Sequence, residues 1–280
     1  MKIKKVIFTL VVIATSLSAC KKNDNILPVG EPPFKGIYNP AVQVQQLNLA
    51  TLRVDAEGDT VSTPNALIMR WFWNVNHLLG INCRQTVGDT TYYCSRNYVY
   101  DDDNRLAQVG TDFKLMYANG RISLIRIEKD EGVYSNLFRF YYNDSDYPDN
   151  VVFFVNPAKS TPEVEYRMRW RDGNIVTIIP DDRYVDSVTY TYDRLINPFC
   201  GFFWPEQWEE NLLLLQIPFL SHNNPETITL YKDGQVFAHY PIRYEYIDTK
   251  PFRINFSLPG IDADGNPYTT HYTYTLHYVK

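Results

Sequence analysis

Three short segments share one spacing, and that spacing commits much of the chain to antiparallel hairpins. They are Tyr117 to Ile122 (YANGRI), Trp170 to Ile175 (WRDGNI) and Tyr231 to Val236 (YKDGQV). In each, Asn-Gly or Asp-Gly follows an aromatic residue two positions on, and an aliphatic residue stands at plus five. Such dipeptides favour the two-residue turn that needs positive φ at both central positions. The turn then sets the aromatic directly opposite the aliphatic, in the closer, non-hydrogen-bonded kind of pair. Aromatic–β-branched pairs of this kind stabilise a sheet by roughly 0.2–1 kcal/mol each.

Weaker copies extend the pattern. Trp73 to Leu78 (WNVNHL) keeps the spacing but places Val75 where a β-branched side chain makes positive φ costly. Tyr100 to Leu106 (YDDDNRL) is one residue longer, as a three-residue loop with Asn104 left-handed requires. Alternating strands run between the turns, at Tyr98 to Tyr100, Phe138 to Tyr142, Val164 to Trp170, Val188 to Tyr192, Ile242 to Tyr246 and Tyr272 to Tyr278. The chain carries 22 Tyr and 15 Phe, side chains that suit a pleated, half-buried surface. The anchors recur at irregular intervals, which predicts a degenerate meander and not a strict solenoid.

One segment departs from this pattern. Pro205 begins a stretch with Glu206, Glu209 and Glu210 early, and Trp208, Leu212 and Leu215 at near-helical spacing. This predicts one short helix near 205–215 that plugs an open end or covers one face of the sheet. The fold expected is therefore mainly β, an antiparallel hairpin meander with one short helix, in a single domain over 41–280. An open curved sheet, a sandwich and a barrel all satisfy it.

The N-terminus reads as an export signal. Lys2, Lys4 and Lys5 precede a mostly apolar run, Val6 to Leu17, too short to span a bilayer. It ends in Leu17-Ser18-Ala19-Cys20, which looks like a lipobox, the site where a signal peptidase cuts before a lipidated cysteine. Residues 1–19 are then the signal, Cys20 the lipidation (palmitate-type) site, and 20–40, with four prolines, a flexible tether. Lipid chains contribute ~0.8 kcal/mol per buried methylene, so such an anchor holds firmly.

Export also permits disulfides. If Gly88 and Asp89 form a tight turn, Cys83 sits directly opposite Cys94, within disulfide reach. Cys200, in the apolar stretch Phe199 to Phe203, is then a buried free thiol.

The composition narrows the function. The formal net charge is -5, and losing the three signal lysines makes it more negative still. With no basic cluster, nucleic acid is not an expected partner, and nothing in the overall charge draws the body to an anionic membrane. No cofactor is expected, because no phosphate-binding glycine loop or serine-hydrolase elbow occurs. No metal is expected either. The five histidines lack zinc-site spacing, and the Asx-rich runs Asp101 to Asn104 and Asn143 to Asp146 do not fit the twelve-residue calcium loop. Sugar rings stack on exposed aromatic faces, and Phe202, Phe203, Trp204 and Trp208 crowd one stretch, making them a candidate glycan platform. The competing reading packs these rings in the core.

The run Tyr98 to Leu106 resembles the YD-type repeats of RHS proteins. The order Tyr190-Thr-Tyr-Asp193, Asn197-Pro-Phe199, the short helix, Leu220 to Pro225 and Asp264 to Tyr268 resembles Bacteroidetes-type envelope lipoproteins of a domain family of unknown function. The resemblance spans roughly residues 65–280 and implies location and fold; it supplies no catalytic residue. The expectation is a lipid-anchored cell-envelope protein of the outer membrane, facing either the periplasm or the surface. It is expected to be non-catalytic and to hold a protein partner or a structural position, with glycan capture as the alternative.

Overall fold

The computed structural model describes residues 33–38, 40–75, 77–87, 90–130, 133–154, 164–181, 185–203, 220–262 and 264–280. The helix expected near 205–215, Trp204, Trp208, Gly88, Asp89 and the anchor at Cys20 lie outside them. Among the described residues nearly everything is strand, apart from one 3-10 turn at Pro33–Lys35.

The strands follow in chain order. They are β1 Val44–Asp55, β2 Thr60–Asn74, β3 His77–Val87, β4 Thr90–Tyr100, β5 Leu106–Val109, β6 Phe113–Ala118, β7 Arg121–Asp130, β8 Val133–Tyr141 and β9 Asn150–Phe154. There follow β10 Val164–Arg171, β11 Asn174–Pro180, β12 Ser187–Ile196, β13 Asn223–Lys232, β14 Gln235–Pro241, β15 Arg243–Ile247, β16 Lys250–Ile261 and β17 Pro267–Tyr278. Each strand from β1 to β13 pairs antiparallel with the next. β15 pairs with β16, β16 with β17, and β17 returns to β1 along the length of both strands. The sheet therefore curls into a nearly closed barrel. Its seam lies between β14 and β15, which follow one another with only Ile242 between them. The first bonds to β13 and the second to β16.

Because consecutive strands alternate in direction, the turns fall at two ends. The chain enters beside Val44, at the end that also holds the turns after β2, β4, β6, β8, β10 and β15. We call this the entry rim.

The repeated spacing has a further consequence, at that rim for every copy but Tyr231 to Val236, whose turn lies at the opposite end. All three strong copies form as the sequence implies, with Tyr117 opposite Ile122, Trp170 opposite Ile175 and Tyr231 opposite Val236. Their turn residues Asn119, Asp172 and Asp233 have φ of 53°, 51° and 52°. Trp73 faces Leu78 and Tyr100 faces Leu106, with Asn104 left-handed at φ 59°. A sixth copy, Tyr246 opposite Pro251, escaped the sequence pattern because its turn is Asp248-Thr249 and its partner is proline. In each of the six, the register slips immediately beyond the aromatic pair. The partner strand thus carries one extra residue, a β-bulge, which bends the strand and increases its twist. Repeated from hairpin to hairpin, that bend turns a flat meander into a barrel.

The bulge also explains the core pattern. Leu78 and Ile81, Leu106 and Val109, Ile122 and Ile125, and Ile175 and Ile178 are all buried. Residues three apart lie on opposite faces of a regular strand; one extra residue brings both inward.

Two segments fill the interior at the entry rim. Phe34 packs on Phe140, Tyr142 and Trp170, and Tyr38 packs between Trp73 and Phe202. Residues 33–38, expected to be tether, therefore belong to the body. The second segment brings Phe199 and Phe202 against Trp71, and Phe202 against Tyr98.

Candidate functional site

The entry rim gathers the polar chemistry of the chain, beginning with a row of tyrosines. Each hydroxyl donates to a carbonyl on the neighbouring strand: Tyr100 to Leu78, Tyr117 to Leu106, Tyr142 to Ile122, Tyr192 to Ile175 and Tyr278 to Pro251, at 2.6–2.9 Å. Every acceptor is the residue opposite the aromatic of a repeat, beside its bulge. Bulging disrupts the ladder there, and the tyrosine supplies a hydrogen bond to the carbonyl. Burial pushes the Tyr100 hydroxyl up to about 12 and raises Tyr117, Tyr142, Tyr192 and Tyr278 further. Arg105 and Arg121 lie over the rings of Tyr117 and Tyr142, each at 4.6 Å.

A second cluster joins the turn after β10 to the segment leading into β13. Ser221 Oγ accepts from the Ile175 amide at 3.1 Å and lies 2.9 Å from the Tyr192 hydroxyl. The Asn174 side chain donates to that of Asn223 at 2.8 Å and accepts from its amide at 2.9 Å. His222 packs on Gly173, where a Cβ would collide with the imidazole ring. Its Nε2 lies 3.4 Å from the Tyr147 hydroxyl. The cluster contains a serine and a histidine, yet the imidazole is engaged with Tyr147 and not with Ser221. Burial also lowers the His222 pKa. Ser221 and His222 are therefore not arranged as a nucleophile with its base.

A third cluster stitches the seam. Asp193 on β12 accepts from the Leu195 and Asn224 amides, the Asn224 side chain and the Tyr246 hydroxyl. It thereby ties β15 to the paired strands β12 and β13, a junction that no backbone ladder crosses.

The residues singled out from sequence divide as follows. Cys83 faces Cys94 with Cα atoms 5.0 Å apart, and the two form a disulfide. Cys200 is free, and burial pushes its thiol up to about 12, far from a reactive thiolate. Phe202 and Phe203 are 3% and 4% exposed. They correct the platform expectation: both rings are enclosed by the barrel and offer no face to a sugar. The Asx-rich runs are closed turns. Asp101 accepts from the Asp103 and Arg105 amides and pairs with the Arg105 guanidinium, while Asp149 caps the Asn143 amide. No group of three or more metal-ligating residues occurs among the described residues. His239 and His271 contact Thr229 and Ser257 across strand pairs.

No family model and no curated protein matches this chain. A porin-like protein from Bacteroides uniformis overlays with a TM-score of 0.50 at 14% identity, covering 84% of this chain and 98% of its own. That likeness is one of fold. A domain described as an outer membrane lipoprotein-sorting protein, from Vibrio parahaemolyticus, covers similar shares, 84% and 85%, at 10% identity. Its TM-score of 0.28 is too low to argue from.

Proposed function

We propose that this chain is a lipid-anchored cell-envelope protein whose plugged barrel stands in water as a non-catalytic binding or structural module for a protein partner. The observation that carries this reading is the polarity of the wall. A barrel that spans a membrane turns an apolar band outward and keeps polar residues inside. Here Tyr166 and Met168 point inward, while Arg167, Arg169 and Arg171 alternate with them on the exposed face of β10. Arg139 is exposed on β8 between buried Phe138 and Phe140. Each arginine at the midplane of a bilayer costs about 2–4 kcal/mol, and the entry rim is packed with aromatic rings where a channel needs water. Attachment then falls to the lipobox cysteine. Glycan capture has lost two of its four platform rings to the core and is the weaker reading.

The test is fractionation of cells expressing the full chain or Cys20→Ala, combined with palmitate labelling. The intact chain should take up label and sediment with membranes, and the variant should be unlabelled and soluble. A variant that stays in the alkali-resistant membrane fraction would show the barrel itself to be integral, and the proposal would fail.

A further inference from the structure

The net negative charge of the chain conceals a local reversal. Arg139, Arg167, Arg169 and Arg171 are exposed, and none of them forms an ion pair among the described residues. β8, β9 and β10 are consecutive in the sheet, so these guanidiniums occupy one outward flank. Alternate residues along a strand stand about 6.7 Å apart, and Arg139 lies two strands over, roughly 10 Å. Among the described residues, Glu165 shares their face of β10 and accepts from the Asn150 side chain at 2.8 Å, and Asp181, just past β11, stands opposite it. Farther round the wall, Lys114 is neutralised by Glu128 at 2.8 Å.

The N-terminal segment enters the barrel against the inner face of the same strands. Phe34 sits against Phe140 and Tyr142 at the end of β8 and against Trp170 on β10, and Lys35 lies 3.6 Å from Asp146. Twelve residues separate Pro33 from Cys20, a reach of at most about 40–45 Å. A surface that holds Cys20 therefore lies within that distance of the strands that carry the arginines. The turns of the rim beside them hold six acids against fewer cations: Asp101 and Asp103 pair with Arg105 and Asp146 with Lys35, and Asp102, Asp144 and Asp172 add to them. A negative rim disfavours standing end-on upon an anionic surface, and a positive flank favours lying along it. At physiological salt the Debye length is about 8 Å, so the flank is felt locally and the distant acids are screened.

We propose that the β8–β10 flank is a membrane-docking face whose arginines contact the phosphates of anionic lipid headgroups, laying the barrel side-on beside its own anchor. The proposal rests on the lipid-anchor reading for its geometry. Guanidinium forks suit phosphate oxygens, and each basic residue at an anionic leaflet contributes roughly fivefold in partitioning.

The experiment uses the mature full chain carrying Cys20→Ala, sedimented with vesicles of phosphatidylcholine alone or mixed with phosphatidylglycerol. Binding to the mixed vesicles should exceed binding to the neutral ones by about six hundredfold and collapse in high salt. Replacing all four arginines by Gln should bring it to the neutral level, while replacing them by Lys should retain it within a few-fold. Equal binding to both vesicle types, or a Lys set that binds no better than neutral vesicles do, overturns the proposal. So does capture of the wild type by dextran sulfate with no binding to the anionic vesicles, which would assign the flank to a polyanionic polymer. Since the protein used carries no lipid, failure here leaves the reading of Cys20 untouched, and a Cys20 without label leaves this measurement intact.

Discussion

At the scale of single residues, the hairpin repeat is revealing where it is imperfect. Val75 stands at the first turn position of the Trp73–Leu78 copy with φ 51°, in a place that Asn or Asp fills elsewhere. Its side chain is 81% exposed, so it gains little from packing to offset the left-handed backbone. The Gln43 side chain bonds its carbonyl, a contact any residue preserves. Replacing Val75 by Asn should therefore stabilise the protein by about 1 kcal/mol. The readout is a higher denaturant midpoint at unchanged slope; an unchanged or lower midpoint would mean that the strain is already relieved elsewhere. The cost of Val75 was legible in the sequence, because the spacing alone assigned it positive φ. The register of Cys83 on Cys94 was legible for the same reason: a two-residue turn leaves the flanking pairs no freedom. The burial of Phe202 and Phe203 was not, since an aromatic-rich stretch reads alike whether its rings meet a sugar or other rings.

At the scale of elements, the bulges were missed although their signal was present. The pairs Leu78 and Ile81, Leu106 and Val109, Ile122 and Ile125, and Ile175 and Ile178 break the alternation of a regular strand three residues apart. Taken as loose patterning, that spacing hides the device that curves the sheet. The seam was invisible for a different reason. Residues 235–247 read as one continuous strand or two, and nothing local shows that the early half bonds to one neighbour and the later half to the other. What replaces the ladder is Asp193, whose oxygens hold Asn224 and Tyr246 together. Asp193→Ala leaves the Tyr246 hydroxyl and the Asn224 amides short of their acceptor. The expected loss is about 1.5–3 kcal/mol, the range for hydrogen bonds to a charged group. Because the damage is local, amide exchange should accelerate in β14 to β16 before it does in β6 to β11. Uniform acceleration across the barrel would show that the seam carries no separate stability.

At the scale of the whole molecule, closure joins segments more than two hundred residues apart, with β17 lying along β1. Turn chemistry has no bearing on such a contact; it follows once the bulged hairpins have curved the sheet far enough for its ends to meet. The tyrosines at the entry rim then act as a set. Tyr100, Tyr117, Tyr142, Tyr192 and Tyr278 all have their hydroxyl pKa raised from 10.0, and burial is the first cause in each case. In the unfolded chain they ionise near 10, so above that pH the unfolded state binds fewer protons than the folded one. Their contribution is fully present below pH 10 and is lost as pH rises toward the folded values. Each withheld proton removes about 1.4 kcal/mol of stability per pH unit. The barrel should therefore keep its stability to pH 10 and then unfold over a narrow interval. The last part of the tyrosinate absorbance should appear only as the β-sheet circular dichroism is lost. Replacing Tyr117 and Tyr142 by Phe removes two of the titrating groups, lowering stability at neutral pH while making its decline above pH 10 shallower. Tyrosinate absorbance that reaches its full amplitude before any loss of sheet would mean that these five hydroxyls are open to solvent in the folded barrel and that their bonds to the bulge carbonyls are not maintained.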